Sequence, residues 1–231
     1  FTLDSMKDVS DGLVCSGPYR WRIGLTCFVL IVTLAVAILS KVLTPVAEQM
    51  SAPLFAQIED MPPPSNPGAH EPSLTSHEDT LYMSWMEQVG SETKVMMAGR
   101  TPDGWSVPRL VYQGRDLFIN WADFPGIAVF EDGTIAVHWL REIGRSSFNY
   151  QVEISLSHDN GATWGPPIIP HTDRSFAQHG FVSTWPDGKN ALAVIWLDGR
   201  AYGVGADKAL PAPDAMQLRA TTLTRDGVLG D

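Results

Sequence analysis

The sequence predicts an all-β domain of repeated antiparallel sheets that follows one N-terminal apolar helix. Two observations predict the sheets: strand-like runs ending in tryptophan recur along the chain, and residues 157–164 read as a tight turn between two strands. A third predicts the helix, because no charged side chain occurs from Ile23 to Ser40. An aromatic content of 10%, with 20 Gly and 17 Pro, suits many short strands joined by tight turns.

The apolar segment at residues 23–43 is about long enough to cross a bilayer as a helix. Two arginines precede its uncharged run 23–40 and Lys41 alone follows that run, so positive-inside bias places residues 1–22 in the cytoplasm and the rest of the chain outside. Its length exceeds the apolar core of a cleaved signal peptide, which favours an uncleaved signal-anchor. The alternatives are a cleaved signal, with a site near Val46-Ala47 or Phe55-Ala56, and a buried core helix.

Residues 44–69 are a predicted linker, because repeated prolines keep the chain extended and out of a sheet ladder. Cys15 and Cys27 both precede this linker, so no disulfide can form within residues 70–231. The net charge of −10 argues against a nucleic-acid partner and fits a secreted or periplasmic domain. The six histidines show no metal-ligand spacing, so we expect no metal and no other cofactor.

Residues 70–231 repeat with a period of about 55 residues, which is in the range of β-propeller blades. Tryptophans at positions 85, 139 and 196 end equivalent apolar runs. Asp132-Gly133 and Asp187-Gly188 are hairpin signals that join the first two strands of the later repeats. Each repeat therefore predicts a four-stranded blade with its tryptophan on the second strand. The length suffices for about three blades, whereas closed propellers have about 4–8, so we expect the chain to be part of a longer protein.

Residues 157–164 read Ser-His-Asp-Asn-Gly-Ala-Thr-Trp. Aspartate in such a turn hydrogen-bonds nearby backbone, glycine supplies a positive φ, and the last two residues begin the next strand. The motif therefore predicts a structural turn without a catalytic role, formed by Ser157, Asp159, Gly161, Thr163 and Trp164.

The up-and-down order of strands predicts a site at one mouth of the propeller. The loops that lead into the first strands and the loops that follow the second strands lie on the same face of the propeller. The turn at residues 157–164 lies on the other face. The candidate catalytic residues at this mouth are Asp123, His179 and Asp198. The candidate substrate-binding residues there are Asn120, Trp121, Arg141 and Arg200. Such a convergence suits acid–base chemistry or the binding of an anionic sugar, although each residue also fits a structural role as turn cap, ion pair or packed side chain.

The turn motif, together with residues 120–125, 138–140, 179–183 and 196–200, resembles bacterial sialidase-like proteins with Asp-box (BNR) repeats, of the exo-alpha-sialidase class. The resemblance covers residues 70–231 and implies a sialidase-like β-propeller with a glycan or glycoconjugate as partner. In that family a substrate-binding arginine lies on the first inner strand, where this chain reads Glu71-Pro72-Ser73-Leu74. The family's Tyr/Glu pair would lie beyond Asp231, so glycosidase activity stays open.

Two functions follow. The first is a glycoside hydrolase of the bacterial cell envelope, with Asp123 or Asp198 as acid/base and Arg200 as the anion clamp. The second is a non-catalytic envelope propeller that binds a glycan or a protein partner through the same mouth. In either case we expect inner-membrane anchoring with the propeller outside the cytoplasm, or secretion if the signal is cleaved.

Overall fold

The computed structural model describes residues 30–39, 59–145, 148–202 and 216–230. The chain divides into two compact units, Phe1–Met61 and Pro62–Asp231. Residues 30–39 of the first unit form a helix. Within the described ranges, no helix has the length and apolar character needed to cross a membrane. The rest of the predicted membrane segment 23–43, the N-terminal residues 1–22 and linker residues 44–58 lie outside the described residues.

The second unit is all-β, as predicted, and its described residues form eleven strands in three antiparallel sheets. The first sheet contains β1 (His70–His77), β2 (Thr80–Val89), β3 (Glu92–Thr101), β4 (Gly104–Trp105) and β5 (Arg109–Gly114). The second contains β6 (Ile127–Val129), β7 (Ile135–Glu142) and β8 (Tyr150–Ser157). The third contains β9 (His179–Pro186), β10 (Ala191–Asp198) and β11 (Gln217–Thr224), with a 3-10 turn at Arg200–Tyr202.

The outer strands differ from the four-strand prediction. In the first sheet the outer position is divided between β4 and β5, which both pair with β3. In the second and third sheets the outer strand is replaced by a single β-bridge, Ile154 to Ile168 and Leu223 to Leu229 respectively. Two prolines precede Ile168 in the sequence, and their missing N–H groups stop the ladder there.

The tryptophans occupy the predicted positions. Trp85 lies on β2, Trp139 on β7 and Trp196 on β10, the second strand of each sheet, and all three indoles are buried. The first strands of the sheets are neighbours, because β1 lies beside β6 and β6 beside β9. Strand alternation divides β7 between two apolar clusters, one shared with the first sheet and one shared with the third. The second sheet therefore packs between the other two.

The turn at residues 157–164 has the predicted geometry. The Oδ1 atom of Asp159 accepts hydrogen bonds from Ser157 Oγ and from the backbone N–H of Thr163, both at 2.8 Å. Gly161 has φ 80°, and a Cβ there would lie 2.8 Å from the Sδ atom of Met97 on β3. Glycine is therefore needed both for the conformation and for the close contact with the first sheet.

Candidate functional site

The seven residues predicted at the mouth form three groups in the structure. Asp198 contacts both His179 and Arg200 at the end of β10. Asn120, Trp121 and Asp123 lie on the loop that enters β6. Arg141 contacts Asp116 and Glu153 and none of the other six within the described residues.

Asp198 is a fully buried carboxylate with every oxygen engaged. The Nε and Nη2 atoms of Arg200 donate to its two oxygens at 2.7 and 2.6 Å. The indole N–H of Trp196 donates to Oδ2 at 2.9 Å, and the backbone N–H of Arg200 donates to Oδ1 at 3.1 Å. Burial by itself would raise the pKa of Asp198, but these hydrogen bonds hold the pKa well below its usual range. The side chain is thus held as an anion with its lone pairs occupied by the protein.

His179 is also fully buried and joins Asp198 to the segment before β9. Its Nε2 lies 3.1 Å from Asp173 Oδ2 and 3.6 Å from Asp198 Oδ2, and its Nδ1 lies 3.3 Å from the carbonyl oxygen of Tyr150. The ring stacks on His171 with centroids 3.9 Å apart. The sequence pattern missed Asp173 and His171 because both precede β9 in a segment without strand periodicity.

Asp173, His179 and Asp198 place one ligand atom each within 4.8 Å of one another. Two carboxylates and an imidazole are a donor set that a divalent cation accepts. In this structure, however, Arg200 and Trp196 already bind the oxygens of Asp198. The arrangement therefore serves as an internal ion-pair network.

Arg141 forms a separate network at the end of β7. Its Nε donates to Asp116 Oδ2 at 2.6 Å and its Nη1 donates to Glu153 Oε1 at 3.1 Å. These two hydrogen-bonded carboxylates raise the pKa of Arg141 above its ordinary value. The guanidinium is therefore engaged by protein carboxylates on two sides.

The loop before β6 is held by its own polar side chains. The Oδ1 of Asn120 accepts the backbone N–H groups of Ala122 and Asp123, at 2.6 and 3.0 Å, and its Nδ2 donates to Asp123 Oδ2 at 2.7 Å. The other oxygen of Asp123 accepts the backbone N–H of Phe181 at 2.6 Å. Asn120 thus caps the turn and Asp123 ties it to β9. Trp121, between them, is 92% exposed.

A pocket of about 210 Å³ lies beside Asp123, between the second and third sheets. We call it the Asp123 pocket. Its lining residues are Ala122, Asp123, Phe124, His138, Leu140, Phe181, Val182 and Ser183. Asp123 is the only one of the seven predicted mouth residues that lines it.

His138 was not selected from the sequence, although a signal was present. It lies on β7 between Ala136 and Leu140, on the face that packs against the third sheet, where a histidine interrupts an apolar pattern. Burial lowers the pKa of His138 to about 4, so the ring is neutral at pH 7. Within the described part of the chain, neither ring nitrogen has a hydrogen-bond partner, and neither is sealed from solvent. A Cβ at Gly126 would lie 2.0 Å from the ring, so only glycine leaves room for it.

A β-bulge shapes the other wall of the pocket. The pairing of β9 with β10 shifts between Ile195 and Leu197, and Phe181 takes φ 51°. A non-glycine residue in this region costs about 1–3 kcal/mol, and the hydrogen bond from its N–H to Asp123 offsets part of this cost. Bulges commonly re-aim a side chain beside a site. Here Phe181 and Phe124 are both about half exposed at the rim.

A second pocket, of about 490 Å³, lies in the third sheet. Its lining includes His171, Trp196, Arg200 and Arg219. Arg200 is paired with Asp198, whereas the Nε of Arg219 lies 3.9 Å from the same carboxylate and its side chain is more exposed. Arg219 is therefore the cation of this pocket that can reach an anionic ligand.

Comparisons with known proteins give low-scoring similarities to glycosidases. No protein family and no curated protein matches the chain. Among solved structures it is similar to the Hadza microbial sialidase Hz136, with a TM-score of 0.43 and 17% identity over 71% of this chain and 33% of that one. It is also similar to a thermostable family-43 glycoside hydrolase, with a TM-score of 0.44 and 14% identity over 73% of this chain and 59% of that one.

A third similarity is to the catalytic domain of Coprinopsis cinerea GH62 alpha-L-arabinofuranosidase, with a TM-score of 0.28 and 14% identity over 71% of this chain and 68% of that one. The chain spans about a third of the sialidase and less than two thirds of the family-43 enzyme.

Proposed function

We propose that residues 62–231 are part of a sialidase-like β-propeller that binds a glycan at the Asp123 pocket. Three features support the propeller: successive antiparallel sheets with neighbouring first strands, tryptophans at equivalent positions of the second strands, and the turn at residues 157–164. The partner proposed is a glycan because of the side chains around the pocket.

The observation that carries this proposal is the pair of exposed aromatic rings that line the pocket. Phe124 and Phe181 are about half exposed at the rim, and Trp121, which is 92% exposed, directly precedes the lining residue Ala122 in the sequence. Exposed apolar side chains grouped around a pocket with a few polar groups are typical of a ligand site. The face of an aromatic ring packs against the C–H face of a sugar ring, and Asp123 and His138 can meet its hydroxyl groups.

Binding is better supported than hydrolysis. The usual glycosidase mechanism needs two carboxyl groups about 5–10 Å apart across the scissile bond. Among the described residues, Asp123 is the one carboxylate that lines the pocket. Asp198 and His179 are fully buried and bound to their protein partners, so neither is placed to exchange a proton with a ligand. A hydrolase at this pocket would need a second carboxylate from beyond the described residues.

We also propose that the segment at residues 23–43 anchors this binding surface outside the cytoplasmic membrane. The uncharged run from Ile23 to Ser40 and the arginines before it support this orientation. A topology reporter fused after residue 60 should be active only outside the cytoplasm. Activity of the reporter inside would overturn the orientation.

The test of glycan binding is a matched pair of aromatic variants. Phe124→Ala removes a half-exposed ring that lines the pocket, whereas Trp185→Ala removes a similarly exposed ring on β9 that does not line it. With a panel of immobilised neutral and acidic oligosaccharides, Phe124→Ala should weaken binding about tenfold and Trp185→Ala should leave it unchanged. If the unmodified protein binds no oligosaccharide, or if the two variants behave alike, the proposal is wrong.

A further inference from the structure

We infer that the Asp123 pocket selects a neutral sugar by its hydroxyl groups and rejects sugars that carry a carboxylate. This inference rests on the proposed glycan binding and names the class of ligand. It departs from what the resemblance to sialidases implies, because a sialic acid carries a carboxylate.

The charge of the lining is the first argument. Among the described residues, the pocket contains the carboxylate of Asp123 and no arginine or lysine. Asp123 is held in place by the backbone N–H of Phe181 and the amide of Asn120. A ligand carboxylate in the pocket would therefore meet a fixed like charge with no cation to offset it. A hydroxyl group would instead donate a hydrogen bond to Asp123.

His138 is the second argument, and it is independent of the first. The ring is 4% exposed, makes no hydrogen bond to another described residue, and keeps its nitrogens open to solvent, so they are free to bind a ligand. This ring lines the pocket, and Gly126 leaves the space that the ring needs. The neutral imidazole offers one donor and one acceptor, and a sugar hydroxyl can serve either of them. The structure thus presents two hydroxyl-binding groups, Asp123 and His138, inside one aromatic rim.

Matched sugar pairs test the selectivity directly. Methyl hexosides of glucose, galactose and mannose differ from the corresponding methyl hexuronides only where a CH₂OH group replaces a carboxylate. We expect the unmodified protein to bind at least one hexoside about tenfold or more tightly than its hexuronide by titration calorimetry. Asp123→Asn removes the fixed charge and should reduce this preference.

His138→Leu separates a ligand-binding role from a structural one. Leucine removes both ring nitrogens and continues the apolar face formed by Ala136 and Leu140. Hexoside affinity should fall about tenfold, while the melting temperature stays the same or rises, because the ring makes no hydrogen bond to the protein among the described residues and leucine keeps the apolar packing. A variant that loses stability and keeps its affinity would contradict the role of His138.

The outcomes distinguish this inference from the proposed function. If neither hexosides nor hexuronides bind, the proposed function itself fails. If hexuronides bind as well as hexosides and Phe124→Ala abolishes both, the pocket binds glycans but the inference is wrong. If hexuronide binding survives Phe124→Ala and is lost in Arg219→Ala, it belongs to the second pocket, and the exclusion of carboxylates from the Asp123 pocket stands.

Discussion

The second and third sheets have charged side chains of opposite sign at equivalent strand positions. In each, a buried tryptophan on the second strand is followed two residues later by a charged side chain, and an oppositely charged side chain lies across from the tryptophan on the next strand. The second sheet has Trp139, Arg141 and Glu153 in these positions; the third sheet has Trp196, Asp198 and Arg219.

The reversal changes how the tryptophan is held. The indole N–H of Trp196 donates to Asp198, and in the first sheet that of Trp85 donates to Glu87 at 2.7 Å. Arginine offers only donors, so the indole N–H of Trp139 has no partner among the described residues, and the ring stacks on Tyr112 at 4.8 Å instead. One repeated tryptophan position can therefore be anchored by a hydrogen bond or by stacking, and the charge two residues on decides which.

The largest loss of stability is expected from Asp198→Ala in the third sheet. It leaves Arg200 and Trp196 facing a buried site without their acceptor, and His179 with only one of its two carboxylate neighbours. Removing one partner of a buried ion pair costs about 3–5 kcal/mol, so the free energy of unfolding in urea should fall by about that amount. A loss below about 1 kcal/mol would show that the network does not hold the sheet end.

The next effect is a pH dependence that only the second sheet should have at this position. His138 precedes Trp139, where the other two sheets have Ser84 and Ile195. Burial lowers the pKa of His138 from 6.5 to about 4, so the unfolded chain binds a proton in this range and the folded chain does not. Stability should therefore fall as the pH drops from 6.5 to 4, by on the order of 3 kcal/mol.

Urea unfolding of the unmodified protein and of His138→Leu, each at pH 7 and pH 4.5, measures how much of this pH dependence comes from His138. His171, whose pKa burial also lowers to about 4, contributes in the same direction and remains in both proteins. The variant should lose less stability on acidification. Equal losses in the two proteins would refute the assignment to His138.

A smaller effect is expected at the reversed pair of the second sheet. Arg141→Ala removes a half-exposed guanidinium and leaves the buried carboxylate of Glu153 without its cation. We expect a loss of about 1–3 kcal/mol, and Glu153→Gln added to it should restore part of this loss because no buried charge is then left unpaired. A double-mutant cycle measures the coupling, and strictly additive losses would show that the pair does not interact.

The smallest effect is expected at the exposed turn of the second sheet. Hydrogen bonds from the side chain and the backbone N–H of Thr163 lower the pKa of Asp159 to about 2. Its contribution to stability is thus present above the usual pKa of 3.8 and is lost as the pH falls towards 2. Asp159→Ala should lower the melting temperature slightly at pH 7 and leave sugar binding unchanged.

Asp103 is the matched control, because it occupies the turn between β3 and β4 of the first sheet and its side chain accepts no hydrogen bond in the described part of the chain. Asp103→Ala should leave the melting temperature unchanged. Similar shifts in the two variants would mean that the hydrogen bonds of Asp159 do not stabilise its turn.

The strands could be predicted because their signals are local. Asp-Gly turns and period-two alternation locate the second strands, and the tryptophan spacing relates one sheet to the next. The outer strands could not be predicted in this way. The prolines before Ile168 reduce a ladder to a single bridge, but this can be recognised only when the register of the strands is known. The same limit applies to the Phe181 bulge, whose positive φ accompanies a hydrogen bond to Asp123 on the distant loop before β6.

The sequence could predict which site residues lie near one another, but not the contacts that they make. Strand order brings His179, Asp198 and Arg200 together, as the sequence indicated. Strand order does not reveal that the polar groups of these side chains are occupied by protein partners. This depends on side-chain distances below about 4 Å and on Asp173, which has no strand pattern. His138 could have been found, because a histidine on an apolar strand face is visible in the sequence.

The contact between Gly161 and Met97 also bears on how the chain assembles during synthesis. The turn that completes the second sheet fits against β3, which leaves the ribosome earlier. Arg225, in the turn that ends β11, likewise pairs with Asp132 of the second sheet at 2.8 Å. The second and third sheets are thus each completed on a surface that the preceding sheet has already formed. Such a chain is suited to cotranslational growth from the amino end.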